Sequence, residues 1–265
     1  MQPQVNQANQ DILNKLRQAG FSDTPQAIPQ RLISKVAGPE KTGKSHLALT
    51  SPPPIIYFSI DIGTEGVVEK FQKQGTQVFV YDIQMKKGGK PEDYKDAWNK
   101  LDVCLDLAVQ VGQGTIVFDT WTEMYEMARL AHFGGRMDKV NPGEYPVVYA
   151  DLREKIRRIY EKSRMGAILI TKMGRAFGEG KGLEEKGFSD TSFLTQMNLE
   201  TGRVDVQDQK TGLSHSVFTI KIKECRQNAL MNGLSLSSEM VNQQGQIEDK
   251  FNMSYINFLT HNWSK

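Results

Sequence analysis

The chain has 265 residues, of which 38% are hydrophobic and 24% charged, with 33 Lys and Arg against 31 Asp and Glu. This length supports one large domain or two small ones, and a net charge of +2 is too small to argue by itself for a nucleic-acid partner. No apolar run approaches the roughly 20 residues of a membrane-spanning helix, no signal peptide opens the chain, and Cys104 and Cys225 form no metal pattern, so no membrane partner and a reducing cytoplasm are expected.

In chain order, residues 1–29 read as a Gln- and Asn-rich arm ending among prolines, expected to be flexible apart from a short helix over 11–19 with Ile12, Leu13 and Leu16 on its apolar side. A strand over 31–37 and a helical turn over 44–49 flank a glycine-containing loop. A short apolar run over 55–60 reads as a buried strand, followed by a helix over 64–74 and a strand over 77–81. The helix expected over 92–111 carries Tyr94, Trp98, Leu101, Leu105 and Ala108 on one face, a core stripe. A strand over 115–118, helices over 121–133 and 147–164, and a strand over 167–170 follow. Apolar strands bounded by amphipathic helices predict an α/β fold with a mostly parallel central sheet flanked by helices. After residue 188 the pattern changes. Residues 204–206 and 216–223 read as strands with no helix between them, expected as antiparallel additions at the sheet edge, and a helix over 254–260 closes the chain.

The loop Gly38-Pro39-Glu40-Lys41-Thr42-Gly43-Lys44-Ser45 fits the pattern G-x-x-x-x-G-K-[ST] at every fixed position. Its glycines let the backbone curl into a nest of N–H groups that point at phosphate oxygens. Lys44 then reaches the β- and γ-phosphates, and the Ser45 hydroxyl can ligand Mg²⁺. A chance match arises in roughly one chain in a hundred of this length, but this one has a strand before it and a helix after it. ATP and Mg²⁺ are therefore the expected ligands.

In a parallel sheet, ligands bind beyond the carboxyl ends of the strands. Asp119 ends the strand over 115–118, where a carboxylate holds Mg²⁺ through water; as an isolated feature it would equally be a helix cap. Asp61 and Glu65 follow the strand over 55–60. Either could orient the attacking water, with Glu65 preferred for its neighbouring glycine, although acid at a helix start is favourable in its own right. Thr171 and Lys172 follow the strand over 167–170 and could sense the γ-phosphate, or merely satisfy the end of the sheet. Two loops combine glycines with cations: 134–143 with Arg136 and Lys139, and 173–187 with Arg175, Phe177, Lys181 and Lys186. Flexible backbone, positive charge and an aromatic are what single-strand binding uses, while Glu179, Glu184 and Glu185 offset the charge of the second loop.

Taken together, GPEKTGKS at 38–45, DIGTEGVVEKF at 61–71, TIVFDTWTEM at 115–124, YADLREKIRRIY at 149–160 and AILITKM at 167–173 resemble the RecA-like core of recombination ATPases. The later GFSD and CRQN segments extend the likeness, most closely to the phage-encoded RecA-like (P-loop, AAA-type) ATPases of single-strand annealing and recombination. The resemblance spans about residues 30–235, leaving the arm 1–29 and a C-terminal extension, 236–265, expected to pack on the core. It implies a DNA-stimulated ATPase that assembles on single-stranded DNA as a homo-oligomeric ring or filament, with ATP between subunits. The two glycine-containing loops would then contact DNA, and a single-strand-binding protein would be a further partner. It also implies a basic residue acting from the neighbouring subunit, for which Arg226 is the candidate and Lys223 the second choice. Lys172 stands where recombinases usually have Gln, and extra residues separate Asp61 from Glu65. A replicative helicase or helicase loader shares the same fold and is the alternative; a small-molecule kinase and a nucleotide-gated binding module are more distant ones.

Overall fold

The computed structural model describes residues 7–23, 30–61, 66–83, 89–175, 182–207, 212, 214–240, 242–243, 246–247 and 253–265. An exposed helix, α1 (Gln7–Gln18), precedes the body of the molecule, with Ile12, Leu13 and Leu16 on its surface. The body begins with β1 (Ile33–Ala37), α2 (Lys44–Leu49), β2 (Ile55–Ser59), α3 (Val67–Lys73), β3 (Val78–Asp82) and α4 (Pro91–Gln110). It continues with β4 (Thr115–Asp119), α5 (Trp121–Phe133), two 3₁₀ turns (Gly134–Lys139 and Pro142–Glu144), α6 (Pro146–Lys162) and β5 (Gly166–Ile170). A small hairpin, β6 (Met173–Arg175) and β7 (Leu183–Glu185), precedes a single turn, α7 (Thr191–Leu194), and the long strands β8 (Met197–Gln207) and β9 (Ser214–Cys225). The edge strand β10 (Ser235–Met240), a two-stranded ribbon β11 (Asn242–Gln243) and β12 (Gln246–Ile247), and α8 (Met253–Asn262) complete it.

The main sheet has the order β10-β9-β8-β1-β5-β4-β2-β3. From β3 to β8 every neighbouring pair is parallel; β9 and β10 are antiparallel. Side chains alternate between its faces, as strand geometry requires. Val117, Ile168 and Ile170 point toward α2, α3 and α8, while Ile116, Phe118, Ala167 and Leu169 point toward α4, α5 and α6. Covering both faces explains why these strands read as continuous apolar runs. The stripe Tyr94, Trp98, Leu101, Leu105 and Ala108 is buried on α4, each large member contributing roughly 1.5–3 kcal/mol. Among the described residues, no helix is long and apolar enough to cross a membrane.

Two expectations need correction. The segment around 204–206 is the outer part of a strand that starts at Met197 and pairs in parallel with β1, Ser34 opposite Met197 and Ala37 opposite Glu200. Only β9 and β10 are antiparallel additions. Met197 and Leu199 are buried, but Asn198 and Glu200 break up the apolar run that would have revealed them. The helix expected from 64 begins at Val67.

A charged network joins α4 to α6. Lys155 is 1% exposed, with its Nζ 2.9 Å from Asp102, 3.2 Å from Asp151 and 4.2 Å from the Trp98 ring centre. The Trp98 indole N–H donates to Asp151, and Arg158 adds contacts of 2.9 Å to Asp102 and 3.1 Å to Asp106. Removing this buried cation takes a partner from Asp102 and Asp151 and leaves a void over Trp98, although Arg158 still holds Asp102 and the Trp98 N–H still holds Asp151. Lys155→Ala should lower stability by about 2 kcal/mol, read as a lower urea midpoint with an unchanged slope. Lys155→Met, which keeps the cover over Trp98, should lose less.

Candidate nucleotide site

The loop 38–45 leaves the carboxyl end of β1, flanked by β8 on one side and β5 on the other. Gly38 passes so close to β8 that a Cβ there would lie 2.3 Å from the Thr201 hydroxyl and 2.7 Å from its carbonyl oxygen, so nothing larger than hydrogen fits. Gly43 turns the chain into α2 with a φ of 88°, the left-handed region glycine enters without steric cost. Within the loop the Thr42 hydroxyl donates to the Pro39 carbonyl at 2.8 Å and lies 2.7 Å from the Thr201 hydroxyl. Lys44 folds back over the loop, donating to the Gly38 and Pro39 carbonyls at 2.9 and 2.7 Å. Burial holds its amine below its ordinary pKa, opposed by the charges of Asp119 and Glu40.

Asp119, at the end of β4, is 4% exposed. Its Oδ2 accepts the Ser45 hydroxyl at 2.6 Å and also the Tyr57 hydroxyl. Its backbone carbonyl accepts the amides of Ile60 and Asp61, joining the ends of β2 and β4; the peptide bond that follows is cis. Burial raises the Asp119 pKa; the two hydroxyl donors and Lys44 oppose this without cancelling it.

Beyond β5, Lys172 reaches two carboxylates, Asp61 at 2.8 Å and Glu123 at 2.6 Å. Burial works to lower its pKa, but these two partners prevail and hold it above the ordinary lysine value. Thr171 is 2% exposed, and its hydroxyl is buried without a hydrogen-bond partner. The loop, Asp61, Asp119, Thr171 and Lys172 thus converge at one end of the sheet. Glu65, Phe177 and Lys181 lie outside the described residues.

Arg226 does not join this group within the chain. β9 runs antiparallel, so Arg226 emerges at the amino end of the parallel strands. There its amide donates to Gln196, and its guanidinium donates to the Phe193 carbonyl. Lys223 pairs with Glu200 at 3.1 Å, nearer the loop.

Of the DNA-binding candidates, Arg136 and Lys139 are exposed in the first 3₁₀ turn, and Arg136 is 3.5 Å from Glu144. Arg175 is exposed on β6. Lys186 pairs with Glu184, and its backbone closes the base of the hairpin: its amide donates to the Lys172 carbonyl, and its carbonyl accepts the Thr122 hydroxyl. The same Thr122 oxygen accepts the Lys172 amide at 3.0 Å, so one hydroxyl bridges both ends of the hairpin. Aromatic rings tie the two loops together. Phe188 stacks on Tyr149 at 5.2 Å and on Tyr125 at 6.4 Å, and Arg129 lies 5.5 Å from the ring centres of Tyr125 and Tyr145.

Tyr57, Thr201, Thr122 and Glu123 belong to the site but are not evident from motifs. Glu123 alone left a trace, the T-x-x-E spacing from Thr120, whose hydroxyl accepts the Glu123 amide and caps α5. Comparison of the sequence with protein-family models and with curated proteins gives no match.

Ser45 and Asp119 are the residues that could hold a divalent cation. Among the described residues no three His, Cys, Asp or Glu side chains gather into a metal cage. A hydroxyl and one carboxylate in contact instead suit Mg²⁺, which keeps several waters and completes its shell with phosphate oxygens. Because burial raises the Asp119 pKa, the folded protein holds that proton more tightly than the unfolded chain does. The cost of ionising it grows as pH rises from the unfolded value through the folded one. Asp119→Asn, whose carbonyl can still accept both hydroxyls, should therefore raise the melting temperature of the nucleotide-free protein at pH 8 by about 3 °C. The gain should shrink as pH falls through the raised pKa and vanish below about pH 4, and both points can be read from thermal melts.

Proposed function

We propose that this chain is a RecA-like P-loop ATPase that binds MgATP in the loop 38–45, assembles on single-stranded DNA and promotes annealing or recombination. The observation that carries the nucleotide part is the 2.6 Å contact between Ser45 of the loop and Asp119 of β4, two strands away across β5. A chance loop match has no reason to be met by a buried carboxylate on another strand. The DNA part rests on the resemblance and on the cations of the two loops.

Lys44 is held by carbonyls that an anionic phosphate would outcompete, so it is poised to transfer to the β- and γ-phosphates. Ser45 and Asp119 would hold Mg²⁺, which when bound neutralises the charge that builds up on the phosphate oxygens. The unpartnered Thr171 hydroxyl and the Lys172 amine lie beyond β5, where they could meet the γ-phosphate. The water-orienting carboxylate comes from Asp61, Glu65 or Glu123, two of which Lys172 already holds. Arg226, remote from its own loop, suits the role of a residue offered to a neighbouring copy.

The test is ATP hydrolysis measured with and without single-stranded DNA. Wild-type turnover should require Mg²⁺ and rise several-fold with DNA, and DNA binding should weaken steeply with salt. Lys44→Ala should abolish turnover. Arg136→Gln combined with Arg175→Gln should keep basal turnover and lose the stimulation. Turnover indifferent to DNA at low salt would remove the DNA half of the proposal, and ATP-driven unwinding of forked duplexes would favour a helicase.

A further inference from the structure

Tyr57 lies in the middle of β2 and is 0% exposed, packed in the core beside Val117 and Val78. A phenylalanine would fill that space without carrying a hydroxyl out of water. A buried tyrosine hydroxyl needs a partner, and this one donates to Asp119 Oδ2, the oxygen that also receives the Ser45 hydroxyl. The donors differ in what they can do next. Ser45 sits at the first turn of α2 and would turn its oxygen toward a cation, whereas the Tyr57 hydroxyl is held by the sheet between Asp119 and Ser45.

Building on the nucleotide reading, we propose that Tyr57 is a positioning residue for the cation-holding carboxylate: its hydroxyl keeps Asp119 oriented when Ser45 leaves Oδ2 for Mg²⁺. The arrangement separates two duties that a single donor could not perform together. One hydroxyl is free to become a ligand, and the other is a permanent anchor. A carboxylate with no donor but Ser45 would lose its orientation on metal binding, and Mg²⁺ would bear the cost of ordering it.

The test is binding of a fluorescent ATP analogue, without turnover, by wild type and Tyr57→Phe. Affinity is measured first in EDTA and then across a Mg²⁺ titration, with a melting curve for each protein. Tyr57→Phe should leave the metal-free affinity within about twofold and raise the half-saturating Mg²⁺ by about tenfold, the scale of one lost hydrogen bond to a charged group. An unchanged Mg²⁺ requirement overturns the proposal. So does a parallel loss of metal-free and Mg²⁺-dependent binding together with a lowered melting temperature, which marks a purely structural role. If wild type binds no nucleotide under any condition, the nucleotide reading itself fails and takes this proposal with it, a result distinct from a Tyr57→Phe effect of zero on a working site.

Discussion

The parallel pairing of β1 with β5 on one side and β8 on the other is the constraint on which the site depends. With both edges occupied and both faces covered, β1 cannot slide or tilt without breaking two ladders at once. The loop that follows it is therefore delivered to one place. β5 sets Thr171 beside it, through the Thr171 amide donated to the Val36 carbonyl. β8 sets Thr201 against Gly38, closely enough that the loop's first residue has no room for a side chain. The placement of the candidate site is thus the outcome of strand register.

Lys44, Lys172 and Asp119 at the site's end of the sheet each have internal partners. Lys44 lies on carbonyl oxygens, Lys172 between two carboxylates, and Asp119 under two hydroxyls. Buried charges demand such pairing, since the cost of leaving one unsatisfied exceeds what any single contact returns. On the proposed reading, a nucleotide would exchange these partners for its own oxygens among groups that the fold has already brought together. The unpartnered Thr171 hydroxyl is an exception that the protein leaves open.

The helices and the buried parallel strands were legible because their apolar periodicity is long and regular. Residues 121–133 and the stripe on α4 needed nothing beyond spacing, and the loop declared itself by motif. β8 escaped because Asn198 and Glu200 interrupt the apolar run of its buried first residues and because it is exposed over 203–207. Tyr57 and Thr201 escaped for another reason. Tyr57 is a single hydroxyl inside a run that reads as core and Thr201 one hydroxyl in a polar stretch of β8, and the value of each comes from a partner 62 residues away in the first case and 159 in the second. Arg226 was identified by likeness to a segment rather than by spacing, and its position at the far end of β9 follows from a strand direction that local sequence does not encode.

That position has a consequence for symmetry. The loop 38–45 and Arg226 lie at opposite ends of one sheet. Under the proposed assembly, a contact that brings the arginine of one copy to the loop of another has two ways to form. Made in one sense only it is heterologous and leaves a loop at one end and an arginine at the other for further copies, so repetition closes into a ring or continues as a helix. Made reciprocally about a two-fold axis it uses both loops and both arginines at once and stops at a dimer.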